Sequence, residues 1–194
     1  MPRWVNSDHL TVLGFLGMIL AGVSYSLAKW YPAVAFPAAV VCLGINWFGD
    51  SLDGTLARYR NQQRPRYGFY VDHIIDSFGA IFLIGGLGLS GYMTGTITMA
   101  LIIAYLLLSI ELYLATYCVG VFRLSFSIWG PTELRVVLAI GSFVLLQKPI
   151  VRIAGAEYFL CDVAAVVAIV GMFLMTVVNT IRNTMRLYKE ERIR

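Results

Sequence analysis

Six apolar stretches, at about 10–28, 33–52, 70–90, 96–122, 132–148 and 160–181, leave this 194-residue chain few ways to fold. Each is close to the ~20 residues a helix needs to cross about 30 Å of hydrocarbon. The polar remainder is too scant for a sizeable soluble fold. Hydrophobic residues make up 59% and charged residues 13%, against about half and a quarter in ordinary soluble domains. The fold class expected is therefore all-α and integral to the membrane: a bundle of six transmembrane helices. With no linker, low-complexity segment or internal repeat, residues 1–194 are expected to form a single domain. The run from Leu10 to Ala28 is long for the core of a signal peptide, and no cleavage site follows it, so the first span is expected to remain as a helix.

An even number of spans puts both termini on one side. Arg3, Arg58, Arg60, Arg64, Arg66, Arg123, Arg182, Arg186, Lys189, Arg192 and Arg194 then fall together, opposite Lys29, Lys148 and Arg152. The positive-inside rule assigns the richer side to the cytoplasm. The net charge of +4 suits anionic membrane headgroups, and no nucleic-acid motif competes for it. Cys42, Cys118 and Cys161 are far apart and form no CxxC pair. They imply neither a zinc site nor a disulfide framework, and are expected as small buried apolar side chains.

Against this background, GDSLDGTLARYRNQQRPRYGFYVDHIIDS, residues 49 to 77, gathers four aspartates, four arginines and a histidine. At about 100° per residue, Asp50, Asp53, Gly54 and Ala57 share one helical stripe, with Arg58 at its edge. Asp72 and Asp76 share a second stripe, with His73 nearby. A short polar turn containing Pro65 joins the two helices, so they are expected to lie antiparallel as neighbours and to bring the four carboxylates together. A like-charged pair at 4 Å costs about 4 kcal/mol even at an effective dielectric of ~20. Hard divalent cations relieve that repulsion, and Mg²⁺ or Mn²⁺ are the usual ions where phosphates also bind. Gly54 and Ala57 remove bulk on the same stripe, and Arg58 can grip phosphate in a fork. A metal–diphosphate site at the cytoplasmic boundary is expected; aspartates that merely solvate a loop would not need this spacing.

The residues DSLDGTLAR followed by GFYVDHIID resemble the signature of the CDP-alcohol phosphotransferases, D-x-x-D-G-x-x-A-R, a spacer, then G-x-x-x-D-x-x-x-D. Asp50, Asp53, Gly54, Ala57, Arg58, Gly68, Asp72 and Asp76 fill all eight positions, with a nine-residue spacer between Arg58 and Gly68. The resemblance implies transfer of a substituted phosphate from a CDP-linked donor to an acceptor alcohol, lipid or polar, with release of CMP. It also implies a dependence on divalent cations, commonly a pair, and a homodimer. By position, Asp50, Asp53 and Asp72 would be metal ligands, and Asp76 a ligand or the base. Gly54, Ala57 and Gly68 would make room for the nucleotide, with Arg58 on phosphate.

His73 after the third aspartate, TYCVGVFR at 116–123 and GPTE at 130–133 resemble the choline and ethanolamine phosphotransferases. These move phosphocholine or phosphoethanolamine to diacylglycerol. On that resemblance His73 and Glu133 would abstract the proton, and Asp76 would chiefly bind metal. Plainer readings are a histidine bonded to a neighbour, a glutamate capping a helix start, and Arg123 as a charge anchor. Tyr117 and Gly120 would line the cavity or pack. The chain is shorter than the eukaryotic members of that branch. Many short members use CDP-diacylglycerol and a polar alcohol instead, and Arg123 and Arg135 could then hold a phosphorylated acceptor. A divalent-cation-binding or transport protein is the non-enzymatic alternative, though the paired repeats usual in secondary transporters are not seen.

Overall fold

The computed structural model describes residues 1–2, 4–119, 131–153 and 155–192. Within them run α1 (Ser7–Leu27), α2 (Pro32–Tyr59), α3 (Pro65–Leu89), α4 (Gly95–Val119), α5 (Pro131–Gln147) and α6 (Leu160–Glu190), with a hairpin of β1 (Ile150–Ile153) and β2 (Ala156–Phe159) before α6. Five of the helices, all but α5, are long and apolar enough to cross a membrane. The α-helical membrane class is thus as expected. The hairpin is an addition to it: Ile150 pairs with Phe159 and Arg152 with Glu157, and Arg152 Nη2 binds Glu157 Oε1 at 2.6 Å.

Local chemistry sets the helix starts. Asn6 caps α1 reciprocally with His9: the Asn6 side chain accepts from the His9 amide at 3.2 Å, and the His9 ring accepts from the Asn6 amide at 3.3 Å. Pro32 and Pro65 stand at the first positions of α2 and α3, where a missing N–H costs nothing. Pro65 therefore opens α3 and is not part of the turn. Arg60 and Arg64 in that turn reach back to the chain at the start of α1. Arg60 donates to the carbonyls of Val5 and Pro2, and Arg64 pairs with Asp8.

The helices α2 and α3 do not pack as neighbours. Both pack on α1 and barely touch each other among the described residues. Glycines allow the close approach. A Cβ at Gly49 would lie 2.6 Å from the Gly14 amide and the Leu10 carbonyl, one at Gly17 2.8 Å from the Asn46 amide, and Gly22 faces Gly86 backbone to backbone. The buried core, including Ala21, Tyr25, Phe36, Ala39 and Leu43, fills the end of α1–α2 remote from Asp50. Tyr25 and Ser142 share a buried hydrogen bond of 2.8 Å that ties α1 to α5. Asp162 at the start of α6 accepts from the amide and hydroxyl of Thr94 just before α4, at 2.8 and 2.5 Å.

The contact at Gly49 gives a stability prediction. Gly49→Val forces side-chain atoms into α1 backbone, and overpacking of about 1–3 kcal/mol would lower the unfolding midpoint by roughly 2–12 °C. Gly44→Val is the control, because a Cβ there meets nothing within 4 Å. Thermal unfolding of the two variants in detergent checks it.

Candidate active site

Helix length places the carboxylates. At 1.5 Å per residue, Asp50 lies about 27 Å along α2 from Pro32, and Asp72 about 26 Å from the far end of α3. Both fall just inside a hydrocarbon layer of about 30 Å for helices near the membrane normal. With α2 and α3 both packed on α1, their aspartate-bearing ends border a cavity of about 480 Å³. It is lined by Asp50, Asp53, Gly54, Ala57, Arg58, Gly68, Asp72 and His73, with Ser7, Asp8 and Thr11 contributed by α1.

Asp50, Asp72 and Asp76 offer one oxygen each, all within 4.8 Å of one another. This all-oxygen, all-anionic donor set fits a hard divalent ion. Asp53 is oriented differently. One carboxylate oxygen accepts from Thr11 Oγ1 at 2.8 Å and the other from the Gly54 amide at 2.5 Å, while the Asp53 carbonyl accepts from Ser7 Oγ. It lines the same cavity outside the group of three. Gly54 and Gly68 both leave open space: a Cβ on Gly54 would meet only Arg58 Nη1 at 3.7 Å, and one on Gly68 nothing within 4 Å. Arg58 stands at the rim, with Nη2 3.3 Å from Thr55 Oγ1.

Arg135 of α5 reaches this group. Its Nη2 lies 2.7 Å from Asp50 Oδ2, and its Nε donates to Asn46 Oδ1 at 2.7 Å. Asn46 Nδ2 in turn donates to the Gly14 carbonyl at 3.0 Å. This chain from α1 through α2 to α5 is what residue spacing does not disclose; its signal is an asparagine one turn before Asp50 in an apolar span. Glu133 stands in the first turn of α5, but its side chain lies outside the described residues, as do Arg123 and Gly120.

His73 sits on the α3 side. Its Nδ1 donates to the Phe69 carbonyl at 2.7 Å, and Asp72 Oδ2 is 3.9 Å away. The ring lies against Phe69, centroids 4.0 Å apart, and meets Tyr113 of α4 edge-on at 4.5 Å. The backbone bond expected of a histidine near a helix end is thus present, and it leaves the basic lone pair on Nε2. Tyr117 is 89% exposed and is not among the described residues that line the cavity. Cys118 is likewise exposed and not the buried side chain expected.

Residues 4–182 match the family model of the CDP-alcohol phosphatidyltransferases. A comparison with curated proteins gave no match. The family comprises membrane-bound transferases, generally dependent on divalent metal, that move a phosphate-substituted group from a CDP-alcohol to an acceptor alcohol in phospholipid synthesis. That class leaves the transport reading without support. The match begins ahead of α1, carries both aspartate-bearing helices and ends within α6, so the chain belongs to the CDP-alcohol phosphatidyltransferase family.

Proposed function

We propose that this chain transfers phosphocholine or phosphoethanolamine from its CDP ester to the hydroxyl of diacylglycerol, releasing CMP. The observation that carries the proposal is the meeting of Asp50, Asp72 and Asp76, two of which, Asp50 and Asp72, line one cavity with His73. Asp50, Asp72 and Asp76 would hold Mg²⁺ or Mn²⁺, with Asp53 completing the set for a second ion by turning from Thr11. Such ions would neutralise charge developing on the CMP leaving group. Arg58 pairs with donor phosphate, and the open space at Gly54, Ala57 and Gly68 takes the nucleotide. His73 Nε2 takes the proton of the acceptor hydroxyl, and Glu133 assists it. The excess of basic residues around this end of the bundle supports a site at the cytoplasmic face, where a soluble nucleotide would meet a lipid arriving sideways. We take residues 1–194 as one domain and a homodimer as the working assembly, on the family's habit.

One observation favours the second reading, a CDP-diacylglycerol donor with serine, inositol phosphate or glycerol phosphate as acceptor. Arg135 lies at the carboxylate group, and a phosphorylated acceptor would draw it from Asp50. A matrix of donors against acceptors, with Mg²⁺ and Mn²⁺ and CMP release as readout, separates the two. CMP from CDP-choline or CDP-ethanolamine with diacylglycerol supports the first; turnover only with CDP-diacylglycerol replaces it with the second.

Gly68→Leu probes the nucleotide space. The side chain would project where the fold has room and the ligand would not, so KM for the CDP donor should rise about tenfold or more, on the scale of a designed clash. The unfolding midpoint should stay at the wild-type value. An unchanged KM would move the nucleotide elsewhere.

A further inference from the structure

A second cavity, of about 500 Å³, opens between α4 and α6. It shares no lining residue with the carboxylate cavity. The two lie on different sides of α4. Tyr113 Oη donates to the His73 carbonyl on α3, whereas Glu111 Oε1 accepts from Asn183 Nδ2 on α6 at 2.8 Å. Two residues on a helix are about 200° apart.

The lining of this cleft asks for a ligand of two parts. Glu111 is the one acidic residue of α4, and its second oxygen, Oε2, is buried with no hydrogen-bond partner among the described residues. A buried acceptor left unmet is costly, most of all on an apolar span. It needs a donor. On α6, Arg182, Arg186 and Lys189 recur on one face and line the same cleft. Arg186 Nε binds Glu190 at 2.8 Å; Arg182 and Lys189 form no ion pair among the described residues. They need an anion. Leu112 and Ala115 supply an apolar wall, and the outward surfaces of Leu114, Val178 and Ile181 beside it are exposed for acyl chains to follow.

We propose that the α4–α6 cleft binds the headgroup of a membrane phospholipid, its phosphate on Arg182 and Lys189 and its ammonium or hydroxyl donating to Glu111 Oε2. This site is separate from the reacting one and does not depend on which donor the enzyme uses. The chemistry discriminates among lipids. Phosphatidylethanolamine and phosphatidylglycerol carry headgroup donors; phosphatidylcholine carries none.

Native mass spectrometry of the delipidated full chain, with each of these three lipids added, tests the assignment. Phosphatidylethanolamine and phosphatidylglycerol should be retained about tenfold more than phosphatidylcholine, the scale of one charge-assisted hydrogen bond. Arg182→Gln with Lys189→Gln should lower retention of both by about tenfold or more. Glu111→Gln should narrow the preference over phosphatidylcholine, and Asp72→Asn should leave it intact. Equal retention of the three lipids by the wild-type protein would overturn the proposal without any variant. So would unchanged retention in the double variant, or displacement of lipid by equimolar soluble phosphoethanolamine, which would make the cleft a site for a free phosphate.

Discussion

Asp72→Asn should cut CMP release by on the order of 10³-fold, since charge stabilisation by a bound metal is worth several kcal/mol and each ~1.4 kcal/mol is tenfold. The change is nearly isosteric. It removes one negative charge from three carboxylates whose oxygens lie within 4.8 Å, where mutual repulsion is useful only if a cation is held. Asp72 is not a structural support: among the described residues its one ion-pair contact is with the His73 ring at 3.9 Å, which is a charge pair only if that ring is protonated, and about half of the Asp72 side chain is exposed. The folded protein should therefore survive, with an unfolding midpoint equal to or above that of the wild type because repulsion falls. Turnover by purified variant, with CMP measured directly, checks the rate. Activity close to wild type would remove Asp72 from the metal site.

The second large effect is at His73. His73→Ala should lower kcat by about 10²–10⁴-fold, the usual contribution of general base catalysis, with affinity for the CDP ester retained. The geometry gives the reason for the split. Phe69, one turn earlier, fixes the ring through its carbonyl and its aromatic face, and Tyr113 closes the other side. The imidazole is thus oriented at the cavity wall beside Asp72, while the phosphate and nucleotide contacts are proposed for Arg58 and Gly54 of α2 and for Gly68. Single-turnover rates with donor bound in excess, alongside equilibrium binding of a CDP ester, measure the two halves. Loss of donor binding with little change in the chemical step would give His73 a binding role and return the base to Asp76.

How the site is assembled was only partly legible in the chain. Aspartates at spacings of three and four, with glycine and alanine between them, declare a shared face because helical geometry is local. Which helices then meet is not local. The glycines of the first three spans read as residues that membrane helices tolerate; the backbone contacts of Gly49 with α1, and of Gly22 with Gly86, are what actually interpose α1 between α2 and α3. That interposition leaves the space at the carboxylates and supplies Thr11, which turns Asp53 from its neighbours. Arg135 is visible as a cation near a helix start, but its hold on Asp50 depends on α5 packing against α2. The hairpin at 150–159 escapes a search for apolar spans because its strands are four residues each. Glu111 was readable as a lone acid in an apolar run; only the structure adds that one of its oxygens is buried and unmet.

The carboxylates of α2 and α3 are proposed to grip a divalent cation for a cytidine diphosphate ester. Electron paramagnetic resonance of Mn²⁺ titrated into the purified protein, with and without CMP, tests it most directly. The expected result is saturable binding that tightens with CMP and is lost in a variant carrying both Asp50→Asn and Asp72→Asn. Mn²⁺ that stays free in solution with the active wild-type protein, or binds the double variant equally well, would contradict it.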